Sequence, residues 1–87
     1  MIKRAKVLSI EDDRQICEML VETFKREKVE TAYSLTLENG LATLASDKFD
    51  VVFLDVNLPD GNGLAAIETI KGLLKEGYNQ IIFCRFI

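Results

Sequence analysis

The sequence predicts an α/β domain: one open parallel sheet of about four strands, with helices on both faces. Three observations predict it. Short apolar runs alternate with segments of helical periodicity, in the order β-α-β-α-β-α-β. The run Val51-Val52-Phe53-Leu54 is apolar at every position, as expected of a strand buried on both faces in a parallel sheet. Two of the strands end in acid, at the edge where open α/β sheets bind their ligands.

Each element follows from its residues. Lys6–Ile10 (KVLSI) reads as the first strand and stops at Glu11-Asp12-Asp13. Ile16, Leu20 and Phe24 recur at i, i+4 and i+8, with Cys17 and Val21 one row over, which is one face of a helix over Arg14–Glu27. Asp13 is its expected N-cap. Val29–Tyr33 is a short second strand, and Ser34 or Thr36 caps a second helix whose face holds Leu37, Leu41 and Leu44. Gly40 inside that helix weakens it by about 1 kcal/mol relative to Ala. Asp47–Asp50 turns into the third strand, Val51–Leu54. A loop, Asp55–Asn62, holds the only proline. Gly63 opens a third helix, along which Ile67, Ile70 and Leu74 recur, and Gly77 ends it. Gln80–Cys84 (QIIFC) is the fourth strand.

Eighty-seven residues make one domain, 1–87. The net charge is −3, and neither basic group (Lys3, Arg4, Lys6; Lys25, Arg26, Lys28) adjoins an aromatic-rich stretch, so nucleic acid is not expected to be contacted by this chain. The chain has no histidine, which excludes His-based metal sites, histidine general bases and Ser/His or Cys/His nucleophilic pairs. Cys17 and Cys84 lack metal spacing and read as buried, reduced thiols of a cytoplasmic protein. The basic N-terminus precedes an apolar run too short for a signal peptide, and no stretch approaches membrane-spanning length, so no membrane is expected.

The acids at the strand ends carry the chemistry. In a flavodoxin-like strand order, 2-1-3-4, strands one and three are neighbours, so Glu11, Asp12 and Asp13 converge with Asp55. Carboxylates that close repel one another and raise each other's pKa unless a cation neutralises them. Oxygen ligands without His or Cys select a hard ion, and Mg²⁺ fits best. Mg²⁺ at a carboxylate prepares phosphoryl transfer, with Asp55 as the nucleophile that becomes an aspartyl-phosphate. Helix capping and turn formation account for acids of this kind as well, and Asp13 and Asp60 are the two it suits best.

Two motifs, Val7-Leu8-Ser9-Ile10-Glu11-Asp12-Asp13 and Phe49-Asp50-Val51-Val52-Phe53-Leu54-Asp55-Val56-Asn57-Leu58-Pro59-Asp60-Gly61-Asn62-Gly63-Leu64, resemble the receiver domain of two-component response regulators, over nearly the whole chain. The LPDGNGL segment is similar to receivers of regulators that activate sigma-54 transcription. The resemblance implies a signalling module rather than an enzyme. Asp55 would take the phosphoryl group from a sensor histidine kinase, Asp12 would bind Mg²⁺ directly, Glu11 would act through water, and the backbone carbonyl of Asn57 would be a further ligand. Pro59 and Gly63 would shape the loop.

Against the family pattern, Arg85 stands where a Ser or Thr closes strand four, and Phe86 where a small residue follows. The resemblance therefore implies a receiver truncated after its fourth strand, lacking the fifth strand, its lysine and the flanking helices, and impaired as a switch. Such a truncation makes strand four an apolar edge, which predicts homo-oligomers through that edge or by segment exchange. A self-associating receiver fragment without activity is the alternative. An aspartate-nucleophile phosphohydrolase is a further one, but it needs an acid/base aspartate where Asn57 stands.

Overall fold

The computed structural model describes residues 5–62, 65–73 and 80–84. Its elements in chain order are β1 (Lys6–Ile10), α1 (Arg14–Arg26), β2 (Glu30–Ser34), α2 (Leu37–Ser46), β3 (Val51–Asp55), β4 (Asn57–Leu58), β5 (Gly61–Asn62), α3 (Ile67–Leu73) and β6 (Gln80–Cys84). Four strands form one parallel sheet in the order β2-β1-β3-β6, so the expected order 2-1-3-4 holds with β6 as the fourth.

The register divides the residues between the two faces. Leu8 lies beside Val52 and Ile10 beside Leu54, and all four are fully buried in one core with Leu37 and Leu44 of α2 and Ile70 of α3. On alternate positions, Ser9 lies beside Phe53, and Phe53 stacks on Phe24 of α1, with ring centroids 5.6 Å apart. Thus α1 covers one face and α2 with α3 the other, the two-sided cover that the unbroken apolar run of β3 requires.

Gly40 is more than a weak point in α2. A Cβ there would stand 2.5 Å from Ile10 Cδ1 and 2.7 Å from Ile10 Cγ1. The missing side chain lets the helix lie directly on the end of β1.

Several boundaries differ from expectation: α1 stops at Arg26, β2 runs Glu30–Ser34, β3 takes in Asp55 and α3 begins at Ile67. The second strand begins at Glu30, not Val29, because Val29 belongs to the end of α1. Its N–H donates to the Phe24 carbonyl at 2.9 Å and that of Lys28 to the Lys25 carbonyl at 3.0 Å, the Schellman pattern, with Lys28 in the left-handed region at φ 59°. The segment expected to be an open loop contains an antiparallel hairpin, β4–β5, in which Asn57 pairs with Asn62 and Leu58 with Gly61. Thr36, not Ser34, caps α2, its side chain accepting from Asn39 N–H at 3.1 Å. Gly63, Leu74, Gly77, Arg85, Phe86 and Ile87 lie outside the described residues.

At the amino end of the sheet Lys6, Asp47 and Asp50 are matched with one another. Lys6 pairs with Asp47, and its ammonium also lies over the Phe49 ring, 5.2 Å from the centroid. The Lys6 N–H donates to Asp50 Oδ2 at 2.8 Å, and the Asp50 N–H returns to the Lys6 carbonyl at 2.8 Å. No described helix is long and apolar enough to cross a membrane.

Candidate functional site

The opposite, carboxyl end of the sheet gathers the acids. Glu11 follows β1 but is still held by the sheet, its N–H donating to the Ser34 carbonyl at 3.0 Å. Two residues later the chain turns into α1. Asp13 caps that helix, Oδ1 accepting from Gln15 N–H at 2.9 Å, while its own N–H donates to Glu11 Oε1 at 3.1 Å. Strand, acid and helix start are thereby locked together within three residues, and Asp12 is presented to solvent between them. Asp55 ends β3, the strand paired beside β1.

This juxtaposition brings carboxylate oxygens of Glu11, Asp12 and Asp55 all within 4.8 Å of one another. Asn57, the expected carbonyl ligand, follows two residues later in β4. Of the four acids expected to converge, Glu11, Asp12 and Asp55 thus meet at one edge of the sheet, and Asp13 caps α1 instead.

The electrostatics are those of crowded acids. Glu11 is 3% exposed and Asp55 6%. Burial pushes the Glu11 carboxyl up to about 7, and the neighbouring carboxyls of Asp55 and Asp12 add to the rise, against the Asp13 N–H, which lowers it. Among the described residues, Glu11 Oε2 is buried and has no hydrogen-bond partner. An orphaned buried oxygen, in a set of oxygen-only donors, fits a small hard divalent cation, which would neutralise the cluster.

Beneath the pocket, Cys17 is fully buried. Its thiol donates to the Glu11 carbonyl at 3.3 Å. Burial, with the Glu11 charge, holds it up at about 11. Cys17 is therefore an inert packing residue, as expected from the helical pattern.

Asp60 is a capping acid, as expected, but the helix it caps is remote in sequence. Its carboxylate does not cap its own element. It reaches α2, accepting from Leu37 N–H at 2.8 Å and from Glu38 N–H at 2.9 Å. Those two bonds, Glu38 first, hold its carboxyl below the ordinary range. The available signal was local: Pro59 presets the first turn position and Asp60-Gly61 is a hairpin dipeptide.

Residues 7–84 match the family model of the response regulator receiver domain. The chain belongs to that family. Over 70 residues the receiver is 33% identical to the response regulator protein PilR of Pseudomonas aeruginosa, an alignment that takes in 80% of this chain and 16% of that protein. The chain therefore spans about a sixth of the length of that relative. Among solved structures, a CheY-like response regulator receiver domain from Methylobacillus flagellatus superposes with a TM-score of 0.85 at 25% identity, covering 93% of this chain and 69% of that one. A Burkholderia pseudomallei response regulator with a phosphorylated aspartic acid, a calcium ion and citrate has the same fold. Its TM-score is 0.82 at 19% identity, over 91% of this chain and 45% of that one.

Proposed function

We propose that this receiver is the phosphoacceptor of a two-component system and takes a phosphoryl group on Asp55 in a Mg²⁺-dependent step. The observation that carries the reading is the cluster of Glu11, Asp12 and Asp55, with oxygens within 4.8 Å and the buried Glu11 Oε2 unpartnered. Asp12 and Asp55 would hold Mg²⁺ directly with the Asn57 carbonyl, and Glu11 would act through water. The ion supplies charge neutralisation for the equatorial phosphoryl oxygens.

The chain's own residues do the rest. The end of β3 fixes Asp55 so that one carboxylate oxygen meets the phosphorus in line. The Asp55 O–P bond forms as the N–P bond of the donor phosphohistidine breaks, and the imidazole leaves with the electron pair. Burial of Asp55 limits water at the aspartyl-phosphate. The chain acts as a substrate of the kinase and a carrier of the group, not as a turnover enzyme. The reading puts the chain in the cytoplasm, and the phosphorylated aspartate of the Burkholderia relative supports it by fold.

Calorimetric titration with Mg²⁺ tests the site. Asp12→Ala and Asp55→Ala should each weaken binding, and unchanged affinity in both refutes it.

A second reading, self-association through the fourth strand, has one observation in its favour. Among the described residues β6 is an outer strand of the sheet, bonded on one side to β3. Light scattering on a size-exclusion column decides it: a dimer at micromolar concentration is expected, and a monodisperse monomer sinks the idea.

A further inference from the structure

The connection after Asp55 is fastened to α2 at two points. Asp60, in the turn of the β4–β5 hairpin, spans the first two free N–H groups of α2 with both carboxylate oxygens, 2.8 Å to Leu37 and 2.9 Å to Glu38. Next to it, Gly61 approaches so closely that a Cβ would stand 2.7 Å from Leu37 Cδ2. Leu58, on the other arm of the hairpin, is buried in the same core as Leu37. Asn57 stands at the base of this hairpin, paired with Asn62. Within α2, Thr36 serves only the Asn39 N–H, so the two N–H groups before it are satisfied from the hairpin, and the bonds that complete the cap also tie the hairpin to the helix.

We infer that Asp60 is a positioning residue: it clamps the hairpin to the N-terminus of α2 and so holds the Asn57 backbone at the acidic cluster in register for the cation. The inference rests on the Mg²⁺ site proposed above. Asp60 touches neither the ion nor the phosphoryl group. It acts through the two-residue arm Asn57–Leu58, whose freedom falls once the turn is pinned, and contacts that hold a ligand from behind set its orientation. The link runs both ways, because an effect of Asp60 on ion affinity requires an equal effect of the ion on the Asp60 contacts. Ion binding should therefore protect the amides of Leu37 and Glu38.

The test compares two ways of uncapping the same helix. Asp60→Ala removes the clamp, and Thr36→Ala removes the ordinary cap, which bonds only to Asn39 within α2. Mg²⁺ itself is the probe, by calorimetry, with amide hydrogen exchange followed by NMR. Asp60→Ala should weaken Mg²⁺ binding about 10-fold, Asp60→Asn should recover part of the loss through its one remaining acceptor, and Thr36→Ala should leave the affinity at the wild-type value. Added Mg²⁺ should slow exchange at Leu37 and Glu38 in the wild-type chain and not in Asp60→Ala. Wild-type affinity in Asp60→Ala, or an equal loss in Thr36→Ala, overturns the positioning role alone. A wild-type chain that binds no Mg²⁺ overturns the site and this inference together.

Discussion

The two ends of the parallel sheet use the same residue types for opposite purposes. Strand β3 shows it most plainly, with Asp50 just before it and Asp55 at its end. At the amino end, Asp50 accepts the Lys6 N–H and Asp47 meets the Lys6 ammonium, and both acids are matched. At the carboxyl end, Glu11 and Asp55 are buried beside Asp12, and among the described residues a Glu11 oxygen lacks a partner. The amino end is finished by the fold alone. The carboxyl end crowds three acids together, and the proposed Mg²⁺ would relieve that crowding.

Removing a site carboxylate gives the largest contrast. Asp55→Asn should lower Mg²⁺ affinity by at least ~100-fold, as loss of a charged ligand exceeds loss of a residue that only positions one. It should also raise the melting temperature of the metal-free chain, because one of three crowded charges is gone. A lower melting temperature would break the comparison, since it would mean that Asp55 is a structural acid like Asp50.

The pH dependence of stability sharpens it. Glu11 has a folded-state pKa of about 7 against an ordinary 4.5, so the folded chain holds its proton more tightly than the unfolded one. Stability from this group is therefore full below about pH 4.5 and is lost as pH rises to about 7. The loss should be on the order of 1–2 kcal/mol, allowing for water at the mouth of the pocket. Urea unfolding across that range should show the fall in the wild-type chain and a flatter profile in Glu11→Gln. Saturating Mg²⁺ should remove most of it.

Gly40→Ala probes the contact just beneath the pocket. Helix propensity favours the change by about 1 kcal/mol, but the clash with Ile10 should reverse the sign and cost about 1–3 kcal/mol net of relaxation. A stabilised variant would show that α2 can lift off β1 without effect.

Far from either end, Lys28→Gly should stabilise by about 0.5–1 kcal/mol, because glycine adopts the left-handed cap conformation without strain. The smallest effect belongs to the matched end: Asp47→Ala should shift the melting temperature only slightly, and high salt should erase the difference, as for exposed ion pairs generally. A large, salt-resistant loss there would undo the contrast between the ends.

Much of the fold and the site was legible because it is written locally. The apolar run of β3, the i, i+4 face of α1, the Asp13 cap and the acids closing β1 and β3 are all short-range patterns, and the order of alternation orients the sheet. What escaped was decided across the chain. Asp60 caps amides 22 and 23 residues upstream, so no window around it reveals the partner. Gly40 looked like a propensity defect because the Ile10 contact that requires it is tertiary. The late start of β2 followed from Lys28 adopting the left-handed conformation, which sequence assigns to glycine or asparagine before lysine.

The most direct measurement is mass spectrometry of the chain after incubation with acetyl phosphate, with and without Mg²⁺. The account predicts the gain of one phosphoryl group, only with Mg²⁺, localised to the peptide containing Asp55 and absent from Asp55→Asn. Labelling that persists in Asp55→Asn, or that proceeds equally in the presence of a chelator, would contradict it.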